Sequence, residues 1–219
     1  MIRSFSRRLH QDKTGAAAIE FALVMPILLM FGMYGIELAN MASVDMQVSQ
    51  MAVSVADNAS RLGQTTNTSV APTINENDVD SVMFGASRQG RGIDITNKGR
   101  IVLSSLERDS ASGKQFIHWQ RCHGGKTRHR SAYGNDSSNN GLNGGNLVSM
   151  GRGTNKVTAS NGTAVMFAEV YYDYEGLFGT LFVNNTTFVH EAAFIVRDSR
   201  DLRGSGQSGL TGGGGNSRC

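Results

Sequence analysis

The chain has 219 residues, room for one domain of ordinary size plus an anchor or tail, with 39% apolar residues, 27 glycines, two prolines and one tryptophan. A formal charge of +3 and a pI near 9.0 would point to an acidic partner if the charge were spread along the chain. It is concentrated instead at the start, where Arg3, Arg7, Arg8 and Lys13 face Asp12 alone, and the rest is balanced; this argues against nucleic acid as a partner.

Residues 1–15 therefore read as a basic leader. From Phe21 to Ile36 no residue is charged, and from Ala16 onward only Glu20 interrupts the apolar run. About twenty residues at ~1.5 Å each cross a bilayer core, so the spacing predicts one transmembrane helix. The basic cluster lies before it and Glu37 and Asp45 after it, an asymmetry that leaves the N-terminus in the cytoplasm and the remainder outside. No small-x-small pair follows between Gly32 and Val44, so secretory cleavage there is not expected. A carboxylate at the mouth of such a run is costly unless compensated, which makes Glu20 a functional candidate. Cleavage after Gly15 would make Ala16 the first residue and Glu20 the fifth. The new α-amino cation could then be neutralised by a neighbour's carboxylate, a device better suited to fixing register than to stability. The alternative is an uncleaved anchor whose Glu20 sits at the headgroups, near the helix N-terminus.

Met41, Val44, Val48, Met51, Val55 and Leu62 continue an a/d stripe, so the helix is predicted over 16–62, with Gly63 as its stop and a kink at Pro26. The stripe is assigned to packing on the chain's own domain, with a coiled coil as the alternative. A polar linker leads to Thr73-Ile74-Asn75-Glu76, which reads as a capping box for a helix over about 74–88. Strands are predicted over Arg100–Leu106, Gln115–Gln120, Ala164–Asp173 and Thr187–Arg197. Between the second and third lies a long Gly/Asn/Ser-rich loop, 121–163, of a length that is usually functional or mobile. The expected fold class is α+β: a long transmembrane helix extended into a small antiparallel sheet domain over 63–203, followed by a Gly-rich tail over 204–219, disordered unless tied down.

Two cysteines, Cys122 and Cys219, in an extracytoplasmic segment favour a disulfide; free or intermolecularly paired thiols are the alternative. His118, Cys122, His123 and His129 match no zinc spacing, and no metal or cofactor is expected. The basic run Arg121, Lys126, Arg128 and Arg130 lacks interleaved aromatics and reads as a solvated loop. Glu169, Asp173 and Glu175 could bind a cation but read better as edge or partner-facing charges. No nucleophile elbow or phosphate-binding loop occurs, so no enzyme is expected.

Gly15-Ala16-Ala17-Ala18-Ile19-Glu20-Phe21, running on through Pro26, resembles the processing region of type IV prepilins and pseudopilins, and more narrowly the opening of TadE-like pilus assembly proteins of tight-adherence (Flp-type) systems. Trp119-Gln120-Arg121-Cys122 with Gly124, then Ala168 to Glu175 with Leu177-Phe178, then Ala193 to Asp198 with Arg200-Asp201-Leu202, resemble the family's later motifs in the same order. The resemblance implies a pilin-like fold and cleavage between Gly15 and Ala16 by a dedicated prepilin peptidase. It implies that Glu20, with Phe21 and Pro26 beside it, serves assembly, and that the partners are other pseudopilins and assembly-platform proteins at the bacterial inner membrane. The domain would lie on that membrane's periplasmic side. The chain departs from the pattern at Gly176, where proline is expected, and in its long tail. Asp109-Ser110-Ala111-Ser112-Gly113 misses the Asp-x-Ser-x-Ser metal motif of a longer related group. Two other readings stay open: an unprocessed membrane-anchored scaffold, and an adhesin binding through 121–163.

Overall fold

The computed structural model describes residues 14–63, 73–197, 202, 210–212 and 217–219. Residues 1–13 of the expected 1–15 leader, residues 64–72 of the expected linker and most of the Gly-rich tail lie outside the described residues. The chain forms two compact units, Met1–Ser43 with Glu175–Asn184, and Val44–Tyr174 with Asn185–Cys219.

Helix α1 covers Thr14–Ser60 and passes through Pro26 without an interruption of the element. It ends at Ser60 rather than Leu62, where Ser60 Oγ donates to Asp57 O and the Arg61 amide donates to Asn58 O in a tight closing turn. In the second unit its buried apolar residues are Val44, Val48, Met51, Val55 and the small Ala52, Ala56 and Ala59. The stripe is thus covered by the chain's own domain, at about 1.5–3 kcal/mol for each large side chain removed from water. His190 and Asp45 are bonded at 2.7 Å, tying this half of the helix to the sheet.

Strand β1 (Ile74–Asn75) leads into α2 (Glu76–Gln89), a 3-10 turn (Gly90–Ile93) and the short α3 (Ile95–Lys98). The capping box expected at Thr73 does not form. Thr73 precedes a strand, and Asn75 caps α2 by accepting from the Asn77 amide at 2.9 Å. An Asn directly before the first helical turn competes for the same orphan amides and wins by proximity. Glu76 is then released to turn inward.

The main sheet has the order β3-β2-β4-β5, all antiparallel, from β2 (Gly99–Arg108), β3 (Gln115–His123), β4 (Ala164–Tyr174) and β5 (Thr186–Ile195). A long apolar helix followed by a small antiparallel sheet domain with short helices makes the architecture α+β. The turn joining β2 to β3 is closed by Asp109, whose carboxylate accepts from the amide and hydroxyl of Ser112; this is what the Asp-Ser stretch builds.

One face of the sheet is covered by the 121–163 connection, which is packed rather than loose. Leu147, Met150 and Ala159 join Leu106, Ile117, Val165 and Phe167 in one buried cluster, with Tyr133 and Val157 against it. Its glycine content has a local reason: at Gly141, with φ +99°, an added Cβ would lie 2.4 Å from the Gln115 carbonyl oxygen. This connection and the chain's last residues also satisfy the open edge of β3. The amides of Ile117, Gln120 and Cys122 donate to Asn140 O, Asp136 Oδ2 and Ser217 O. An edge satisfied in this way offers no ladder to another strand. Strand β6 (Leu210–Thr211) pairs parallel with β1, Ser217 Oγ bonds Asp80, and Cys219 is disulfide-bonded to Cys122, so the tail is tied down at two places.

Candidate functional site: the N-terminal helix and its carboxylates

In the first unit α1 has almost no cover of its own. Ile19, Phe21, Leu23, Val24, Ile27, Leu28, Leu29, Met30 and Phe31 are all exposed, and between Gly15 and Ile36 only Met25 and Met33 are half-buried. Such a surface is stable only against lipid or other helices. Glu20 stands exposed on it, and Pro26 lies six residues further along the same helix. An added Cβ at Gly15 would meet nothing within 4 Å, so packing inside the chain does not require glycine there.

The apolar run ends at a second carboxylate, Glu37, which is fully buried. It accepts from the backbone amides of Leu177 at 3.3 Å and Phe178 at 3.2 Å, residues of the β4–β5 connection that belong to the same unit. A ring contact between Tyr34 and Phe182, with centroids 5.6 Å apart, lies on the same patch. Gly176 is required by this approach: an added Cβ would lie 2.6 Å from Gly179 O and 3.0 Å from Glu37 Oε1. Proline carries that Cβ, so the departure from the expected residue has a steric cause.

In the second unit, Cys122, Val102, Glu169 and Glu191 form one row across the sheet. Glu169 is fully buried, accepts from the Ala132 amide and the Tyr171 hydroxyl, and has no partner for Oε2. Burial pushes its carboxyl above the ordinary value, against the hydrogen bonds from Ser131, Ala132 and Tyr171. Four residues on, Asp173 takes bonds from His129, Arg128 and Thr187. Burial alone would raise its carboxyl; the bonds from His129 and Thr187 and the charges of His129 and Arg128 outweigh it and hold it low. These acids hold the covering loop to the sheet.

Arg121 belongs to no solvated run. It is buried and forms a two-armed pair with the inward-turned Glu76, with Asp136 3.4 Å from Nη1. The histidines go separate ways: His118 bonds Glu107, His123 meets Phe84 at a tilt, and His129 bonds Asp173 and stacks on Tyr171. Among the described residues no group of three His, Cys, Asp or Glu side chains is placed to hold a metal ion. A polar hollow of about 500 Å³ lies beside the disulfide, lined by Arg100, Gln120, His129, Arg130 and Asp136.

The bare apolar helix is also where similarity to known proteins is found. Residues 15–61 match the family described as TadE-like protein. Over that segment the chain is similar to that family. No curated protein and no solved structure matches the chain. The matched segment coincides with α1 almost to the residue, and the sheet domain lies beyond it.

Sequence reasoning singled out Glu20 within this segment and passed over Glu37, which it used only as a charge marking the end of the span. The available signal was positional. A carboxylate directly against a long apolar run needs donors as much as Glu20 does, and donors 140 residues away in sequence are invisible to local pattern.

Proposed function

We propose that the chain is a non-enzymatic, pseudopilin-like membrane component that assists assembly of a Flp-type, tight-adherence pilus. The observation that carries the reading is α1 itself, a TadE-like helix whose apolar first half is left uncovered and bears one exposed carboxylate, Glu20, near its start. A helix of this kind can anchor in the inner membrane and then pack against the same helix of other subunits. Gly15 and Ala16 mark the processing point for a prepilin peptidase; the lack of any packing reason for Gly15 supports a role outside the fold. After cleavage the Ala16 amine and the Glu20 carboxylate of neighbouring subunits pair, setting register in the growing assembly. Phe21 and Pro26 shape the contact surface around that pair. The sheet domain, with its disulfide, faces an oxidising compartment outside the inner membrane.

The test is the intact mass and N-terminal sequence of the protein isolated from its host's membranes, followed by pilus counts for Glu20→Ala. A chain starting at Ala16, and loss of pili with Glu20→Ala at unchanged protein level, are the expected results. A chain still carrying its leader, with normal piliation in Glu20→Ala, leaves an ordinary anchor and refutes the pseudopilin mechanism.

A further inference from the structure

We propose that the β4–β5 connection, Glu175–Asn184, is an interfacial membrane anchor: held at the end of the apolar run by Glu37, it lays Leu177, Leu181 and Phe182 into the headgroup–acyl boundary of the bilayer that α1 crosses. The inference rests on reading α1 as a membrane span.

The segment reads Glu-Gly-Leu-Phe-Gly-Thr-Leu-Phe-Val-Asn, an apolar composition that a solvated hairpin connection does not need. Leu177 is 57% and Leu181 68% exposed, so these side chains serve no core of the chain. Phe178 and Phe182 meet edge to face at 5.9 Å, and Phe182 meets Tyr34, which joins the loop's apolar surface to that of the helix. The occupant follows from that continuity. Whatever solvates Phe31 and Tyr34 on α1 also solvates the loop beside them, and for a span of this composition it is lipid.

The backbone supports the same occupant. Irregular chain near hydrocarbon must have its amides satisfied from within, because water is scarce there. Here Leu177 and Phe178 donate to Glu37, Gly179 donates to Gly176 O and Leu181 to Phe178 O. A loop in water has no need to recruit a buried carboxylate for that task. Glu37 therefore acts as a positioning residue, fixing where along α1 the loop is held.

The experiment uses the full chain, oxidised, in vesicles of three parts phosphatidylethanolamine to one part phosphatidylglycerol. A nitrobenzoxadiazole label is placed in turn at Leu181→Cys, Leu23→Cys and Val148→Cys, and quenching is read with lipids spin-labelled at shallow or deep acyl positions and with aqueous iodide. The expected result is shallow-lipid quenching at residue 181 about twofold or more above that at 148, deep-lipid quenching at 23, and iodide quenching dominant at 148. Glu37→Ala should lower the lipid quenching at 181 while leaving 23 unchanged. If 23 is quenched by lipid but 181 behaves like 148, the loop anchor is wrong and the span stands. If 23 is not quenched by lipid, the span itself fails and the inference with it. A label at 181 shielded from both lipid and iodide would assign the loop to a second copy of the chain, which also overturns the proposal.

Discussion

Replacing Glu76 by glutamine keeps the side chain's shape but removes the charge that faces Arg121. Both partners are buried, with side chains 9% and 6% exposed, and the pair joins the first turn of α2 to β3. Leaving one member of a buried pair uncompensated costs about 3–5 kcal/mol. The Asp136 carboxylate, 3.4 Å from Arg121 Nη1 and a third exposed, stays behind and holds part of the charge. The expected loss is therefore at the lower end, about 3 kcal/mol. Urea unfolding followed by fluorescence of Trp119, the chain's only tryptophan and buried in the same strand, measures it on the full chain in detergent. The companion double variant Glu76→Leu/Arg121→Met removes both charges together and should lie within about 1 kcal/mol of the parent. Glu76→Gln within about 0.5 kcal/mol of the parent would refute the reasoning, since that is the behaviour of a water-screened surface pair.

The Cys122–Cys219 disulfide closes 97 residues, so reduction should lower stability by up to about 4–5 kcal/mol in the chain-entropy account and raise amide exchange at Cys122 as the tail leaves the β3 edge. A midpoint unchanged on reduction would show that the tail's other contacts suffice. Because burial raises the Glu169 carboxyl above 4.5, the folded state binds the proton more tightly than the unfolded chain. Stability from this group is therefore present at acid pH and lost as pH rises from about 4.5 through the raised value. Glu169→Gln should flatten that limb, so that the variant gains on the parent between acid and neutral pH in parallel urea titrations; a constant difference across the range would contradict the assignment.

Much of the scaffold was legible because it depends on short-range periodicity. The apolar run gave α1, and the β-branched and aromatic clusters gave four strands whose ends shift by only a few residues. The heptad stripe marked the buried face of α1's second half from Val44 to Val55, and the alanines that complete it are small enough to escape a pattern search. One misreading arose where two groups competed for one partner, another where neighbours in sequence hid a buried pair. Thr73 and Asn75 both suit a cap, and the nearer residue took it. Arg121 looked like part of a basic run because Lys126, Arg128 and Arg130 follow it, yet alternation along β3 turns it inward to Glu76.

What the sequence by itself determined is an N-terminal helix long and apolar enough to span a membrane, a carboxylate near its start, and a strand-rich domain after it. These follow from composition and spacing over a few turns. Only the tertiary structure decided that the 121–163 connection is a packed layer, that the tail closes the edge of β3, and that Glu37 holds a loop 140 residues away. Each of those depends on which groups meet across long stretches of chain, and local polarity carries no record of that. A buried carboxylate must find donors, but where they lie is fixed only when the strands have paired.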